Sequence, residues 1–341
     1  MFFPYLQKCS LISSLMLITL SPAGAFDYFQ ALPDKPLIPE QNPLTPAKVS
    51  LGKKLFFEQK LLGPDSTISC NSCHQLSRGG NDGLDFSTGQ NGKKTRRSSP
   101  GLWNIGVQTV YYWDGRASSL EQQTLDHLRD PTISSWPDIG SLIIEISASA
   151  EYQQSFADAF PHDVISGHNI AQAIASFERS LMAFNSPFDR YIKGEESALS
   201  EKQKRGMQAF TDSGCLACHF GANFAGPAPG PALGLGDGFY ELFPNNLGTD
   251  YEERYQLAND RGRFSFSGDP GELYMWRVPP LRNIEYSAPY FHNGSVTNLH
   301  EAIRVMAKTQ FNKELADASV DDIAAFLISL SGETPRVLLT P

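Results

Sequence analysis

The sequence predicts a mainly α fold with long loops, built as two related units. Three observations carry this. One short motif occurs twice, as Cys70-Asn-Ser-Cys73-His74 and as Cys215-Leu-Ala-Cys218-His219. A helix-spaced stretch with Gly and Phe precedes each copy, LGKKLFF at 51–57 and RGMQAF at 205–210. Strand-type alternation is scarce, so helices and loops must account for most of the chain. A motif and its leading helix that recur together form a weak internal repeat, which points to two units of one kind.

Taken in order, the first 25 residues read as a secretory signal rather than as fold. Lys8 gives a weak positive start, LISSLMLITL (11–20) an apolar run, and Ala23-Gly24-Ala25 a small-residue cleavage site. The apolar run is too short to span a bilayer comfortably. Cleavage after Ala25 and a periplasmic location are therefore expected, and nothing downstream resembles a membrane span. Residues 26–47 are proline-rich and read as an extended lead-in. Val49, Leu51, Leu55 and Phe56 then set the spacing of the first helix. Residues 141–184 are amphipathic helix material, and the charged stretch 193–205 reads as a link. This divides the mature chain into 26–195 and 196–341. Residues 221–272 are rich in Gly, Pro and Asn and read mostly as loops. NLHEAIRVMAK and VDDIAAFLISL close the chain as two helices.

Cysteine usage assigns the chemistry. Of five cysteines, Cys9 leaves with the signal, and the other four all lie in the two motifs. A disulfide pair has no use for the histidine behind it. Zinc would want Cys and His clusters with closing partners, and no cysteine is spare to close one. Cys-x-x-Cys-His is the attachment unit of haem c: two thiols bond the porphyrin and the histidine reaches the iron. Two covalently bound haem c groups are thus expected, in two cytochrome-c-like haem domains. The net charge of −9 becomes −10 once Lys8 is removed. That argues against nucleic acid as a partner and for a basic redox protein.

The stretches LGKKLFFEQKLLGPDSTISCNSCH, GGNDGLDFSTG, YYWDGRASSLEQQ, VPPLRNIEYSAPYFHNGSV and EAIRVMAKTQ together resemble the bacterial di-haem cytochrome c peroxidase and MauG superfamily. The resemblance runs in order over nearly all the mature chain. It implies that the haem on Cys70, Cys73 and His74 reacts with hydrogen peroxide. The haem on Cys215, Cys218 and His219 would receive electrons from a small cytochrome c or a cupredoxin. Met306 matches the methionine that closes the second iron, a ligand suited to electron transfer. MauG-type members carry a tyrosine there, so Met306 favours the peroxidase side. Trp113 matches an aromatic residue between the haems, and Gln123 a glutamine of the peroxide site. The carbonyls of Ser287 and Pro289 match the family's calcium site, where Ser98 replaces its asparagine. Relatives are often homodimers. His292 matches a family histidine near the haem interface and is read as structural. Asp114 and Arg116 are read as a structural pair in the WDGR turn.

Two positions depart from the family pattern. Gln90 stands where many members have a histidine that caps the peroxide-reacting iron, so an open iron is expected, unless His127 substitutes as its ligand. Ile133 stands where the family has a proton-transferring glutamate, and isoleucine carries no proton. Asp130, Asp138, His127 and Glu121 are the alternatives. The leading reading is a periplasmic di-haem peroxidase with Gln90, Trp113 and Gln123 in its catalytic machinery. A MauG-like enzyme that oxidises Trp or Tyr of a partner protein, or a non-enzymatic carrier or sensor, are the other two.

Overall fold

The computed structural model describes residues 28–227 and 234–340; the expected signal at 1–25 lies outside them. Twelve α-helices follow in order among these residues. They are α1 (Pro46–Phe57), α2 (Cys70–Cys73), α3 (Leu120–Arg129), α4 (Ile139–Ala148), α5 (Ala150–Ala159) and α6 (Gly167–Ser180). Then come α7 (Pro187–Ile192), α8 (Glu201–Asp212), α9 (Asp250–Tyr255), α10 (Phe264–Ser267), α11 (Leu299–Phe311) and α12 (Asp317–Ile328). Among the described residues the sheet content is one antiparallel pair, β1 (Tyr240–Leu242) with β2 (Met275–Arg277), in the register Tyr240 opposite Arg277.

Local chemistry sets most helix starts. Thr45, Ser119, Asp138, Ser149, Ser166, Ser186, Ser200 and Asn298 each accept a backbone N–H of the first turn they cap. Pro46 and Pro187 add the fixed φ that suits a first turn. Because Ser200 caps α8, the helix begins at Glu201, inside the stretch 193–205 that the sequence suggested as a link.

The repeat is physical. In the first half α1 crosses α6 at Gly52, so closely that a Cβ there would lie 1.9 Å from the Ala173 carbonyl oxygen. In the second half α8 crosses α12 at Gly206, where a Cβ would lie 1.8 Å from the Asp322 carbonyl oxygen. One turn on, the same aromatic pair recurs. Phe56 meets Phe177 at 5.3 Å and 60°, and Phe210 meets Phe326 at 5.5 Å and 61°. The matching continues in the loops. Asn104 and Asn283, both left-handed at φ 65° and 58°, are joined by a side-chain hydrogen bond of 3.1 Å. Isolated bridges tie Tyr111 to Ala117 and Tyr290 to Val296 just before α3 and α11.

Each half keeps its own core. Leu55, Leu142, Ile146, Ile170 and Ile174 fill the first, while Phe188, Phe210, Phe224 and Phe326 fill the second. Phe188 belongs to α7, so by packing the second half already gathers residues before 195. The lead-in crosses over as well: Phe29 joins the second core, and its neighbour Leu32 donates its N–H to Asp189. Arg282 and Asp189 form a buried ion pair of 2.9 Å at this seam.

Candidate di-haem site

The two motifs are built alike. In the first, α2 carries Cys70 and Cys73, and His74 stands at its C-terminal end. The ring Nδ1–H of His74 donates to the Gly80 carbonyl at 3.0 Å. In the second, Nδ1–H of His219 donates to the Phe224 carbonyl at 2.9 Å. Each bond fixes the tautomer and leaves Nε2 free for a metal, the usual second support of a ligating histidine. Burial lowers the protonation of both rings, which keeps them neutral and able to ligate.

All four motif cysteines are free thiols. Burial pushes Cys70 up to about 12, and Cys215 and Cys218 to about 11. Yet Cys70, Cys73, His74, Cys215 and Cys218 are only half-buried by accessible surface. Cys215 and Cys218 line an internal cavity together with His219. Such a cavity, with two thiols and a neutral imidazole on its wall, fits a covalently attached haem.

One large cavity brings together Cys215, Cys218, His219, Met306, Trp113 and Gln123. Ser287 and Pro289 line it too. Met306 comes from α11, where it is half-buried between buried Val305 and Ala307. Trp113 is held by its indole N–H, which donates to the Ser98 carbonyl at 2.8 Å. The Ser98 hydroxyl donates to the Leu84 carbonyl, so the side chain standing in for an asparagine is already engaged. Arg116 and Asp114 pair at 2.9 Å as the WDGR turn suggested, and Arg97 joins Asp114 to Asp260. His292 is buried and stacks on Trp276 at 4.2 Å.

The structure places Gln90 apart from that cavity. Its amide donates to the Ser66 hydroxyl at 2.7 Å and the Leu62 carbonyl at 3.1 Å, and its own N–H donates to Thr132. Ile133 packs against the first core. Of the carboxylates considered in its place, Glu121 is bound by Arg179 at 2.7 and 2.8 Å and by Asn42. Burial works to raise its pKa, but those partners outweigh it and hold it low. Asp130 is exposed and accepts from the Thr132 N–H; Asp138 is exposed and caps α4. His127 is left. Burial first, then the charges of His74 and Arg116, lower its pKa to about 4.

Glu178 is a residue that sequence reading missed. It is buried beside Cys70, one carboxylate oxygen has no partner, and burial pushes its pKa up to about 8. Only its place on the buried face of α6 could have signalled this. Among the described residues no group of three His, Cys, Asp or Glu could hold a bare metal ion, and no helix is long and apolar enough to cross a membrane.

Known proteins resemble this arrangement. A family model described as di-haem cytochrome c peroxidase matches residues 46–197. The chain is 35% identical to the cytochrome c551 peroxidase of Pseudomonas aeruginosa, over 96% of this chain and 93% of that protein. It is 31% identical to the methylamine utilization protein MauG of Methylorubrum extorquens, over 88% of this chain and 83% of that one. A crystal structure of a MauG-like protein associated with microbial copper homeostasis superposes with a TM-score of 0.74 at 28% identity, covering 91% of this chain and 96% of the other.

Proposed function

Because this chain belongs to the di-haem cytochrome c peroxidase family, we propose that it reduces hydrogen peroxide to water with electrons from a small redox protein, through two haem c groups held one in each half. The carrying observation is the unequal equipment of the two histidines. His219 shares its cavity with a thioether, Met306, whereas Gln90, which stands at the family's capping-histidine position, has its amide tied to Ser66 and Leu62.

Haem, when bound, supplies the iron that accepts and passes electrons. The chain does the rest. Cys70, Cys73, Cys215 and Cys218 would anchor the porphyrins, and the carbonyls of Gly80 and Phe224 hold His74 and His219 in orientation. Met306 would suit a carrier site, because a thioether ligand would raise the potential of the group held there and leave no room for a substrate. Trp113 shares the cavity wall with Gln123 of the first half and Met306 of the second, so its indole replaces saturated side chain on the electron route. Gln123, buried on α3, contributes its polar side chain to the same cavity wall.

Export to the periplasm follows from the signal-like residues 1–25, and the donor is a small cytochrome c or a cupredoxin, basic in character to suit the acidic chain. A calcium ion on the carbonyls of Ser287 and Pro289 and a homodimer extend the same family reading. The test is steady-state peroxide consumption by the holoprotein with a reduced c-type cytochrome or cupredoxin. Two donors oxidised per peroxide are expected. Peroxide-driven modification of Trp or Tyr on a partner protein, without donor turnover, would overturn this in favour of MauG-like chemistry.

A further inference from the structure

We propose that His127 is the proton-transfer residue of the His74 site, the task that Ile133 cannot perform; this rests on the peroxidase reading above. Three independent observations place it there.

The first is the internal repeat. The bridges at Tyr111 and Tyr290 lead into α3 and α11, which open at Leu120 and Leu299. His127 and Met306 each stand seven residues after those leucines. The preceding turns share their strained points, with Tyr112 and Phe291 at φ 66° and 69° and Gly115 and Gly294 at 65° and 61°. Helices entered through the same turn and packed in matching halves aim the same position at the same place. Met306 lines the cavity of its motif histidine, and His127, at the matching position, lies near enough to His74 to feel its charge. Gln123 lies one turn earlier on α3, on the same helical face.

The second is how the ring is held. His74 and His219 each have Nδ1 tied to a carbonyl, the support that ligating histidines need. The side chain of His127 has no hydrogen bond among the described residues; Tyr112 meets its ring edge to face at 5.4 Å and 85°. Both its nitrogens are free, which suits a group that accepts and returns a proton better than a fixed ligand. The third is elimination: Glu121, Asp130 and Asp138 are bound elsewhere, and Glu178, pushed up to about 8 by burial, already holds its proton near neutral pH and cannot accept another.

The step balances. His127 takes the proton of one peroxide oxygen and returns it to the other, which leaves as water when the O–O bond breaks. The donor supplies two electrons and solvent two further protons, giving two waters in all, with no net proton change at His127.

The test uses the holoprotein with His127→Leu and His127→Gln, the second keeping a polar side chain of similar size. Two readouts are taken: stopped-flow reaction with peroxide, and binding of cyanide to the oxidised protein. Hydrogen cyanide must also lose a proton to bind, and cyanide binding needs no turnover. Both rates are expected to fall by about 100-fold or more, with the absorption and EPR spectra of the oxidised protein unchanged. His127→Glu should recover part of the cyanide rate, which a merely structural role would not allow. Rates within about threefold of the parent in both variants would overturn the proposal. So would conversion of a low-spin to a high-spin signal in His127→Leu, which would make His127 an iron ligand. If the parent consumes no peroxide but His127→Leu still slows cyanide, the peroxidase reading fails and the proton-transfer assignment stands.

Discussion

Replacing Gly206 by alanine tests the duplicated architecture. The new Cβ would lie 1.8 Å from the Asp322 carbonyl oxygen and 2.9 Å from Phe326 Cβ, where ordinary contact begins at 3.4 Å. The obstacle is helix backbone, which cannot rotate away as a side chain would. α8 and α12 must therefore part by about 1.5 Å, loosening the Phe210–Phe326 contact between them. Alanine gains about 1 kcal/mol of helix propensity over glycine. Overpacking against a rigid wall costs about 3 kcal/mol, so a net loss of about 2 kcal/mol is expected. Gly52→Ala meets the same obstacle at Ala173 and Phe177, at 1.9 and 2.9 Å, and should lose as much. Equilibrium urea unfolding of the holoprotein, followed by circular dichroism, measures both. A loss below about 0.5 kcal/mol, the range of innocuous surface changes, would refute the crossing argument. Similar losses in only one half would refute the equivalence of the two.

Two further outcomes are expected. Arg282→Met strands Asp189 as an uncompensated charge; with the two side chains 0% and 4% exposed, stability should fall by about 3–5 kcal/mol, read as a shift in the urea midpoint. Glu178 has its pKa raised from 4.5 to about 8 by burial, so the folded chain keeps a proton that the unfolded chain loses. Its contribution to stability is complete below about pH 4.5 and lost as pH rises towards 8, and a pH series of unfolding curves should show that slope shrink in Glu178→Gln.

Much of the site was legible because it is local. The Cys-x-x-Cys-His units place both thiols and the histidine within five residues, so covalent attachment needs no knowledge of the fold. Helix starts were legible for the same reason: a serine or threonine caps the turn it precedes. Within the charged stretch 193–205 the helix takes over from Glu201, because Ser200 and Gln203 form a capping box there.

The sequence by itself determined that two attachment units exist, that helices lead into them, and that Gln90 and Ile133 lack the chemistry usual at their positions. Only the tertiary structure decided what surrounds them. Gln90 is bound through Ser66 and Leu62, Glu121 is spent on Arg179, one oxygen of Glu178 lies unpartnered beside Cys70, and His127 stands at the position on α3 that Met306 holds on α11. Covalent attachment is encoded in neighbouring residues. The availability of a proton or a lone pair depends on partners far along the chain, which only packing brings within reach.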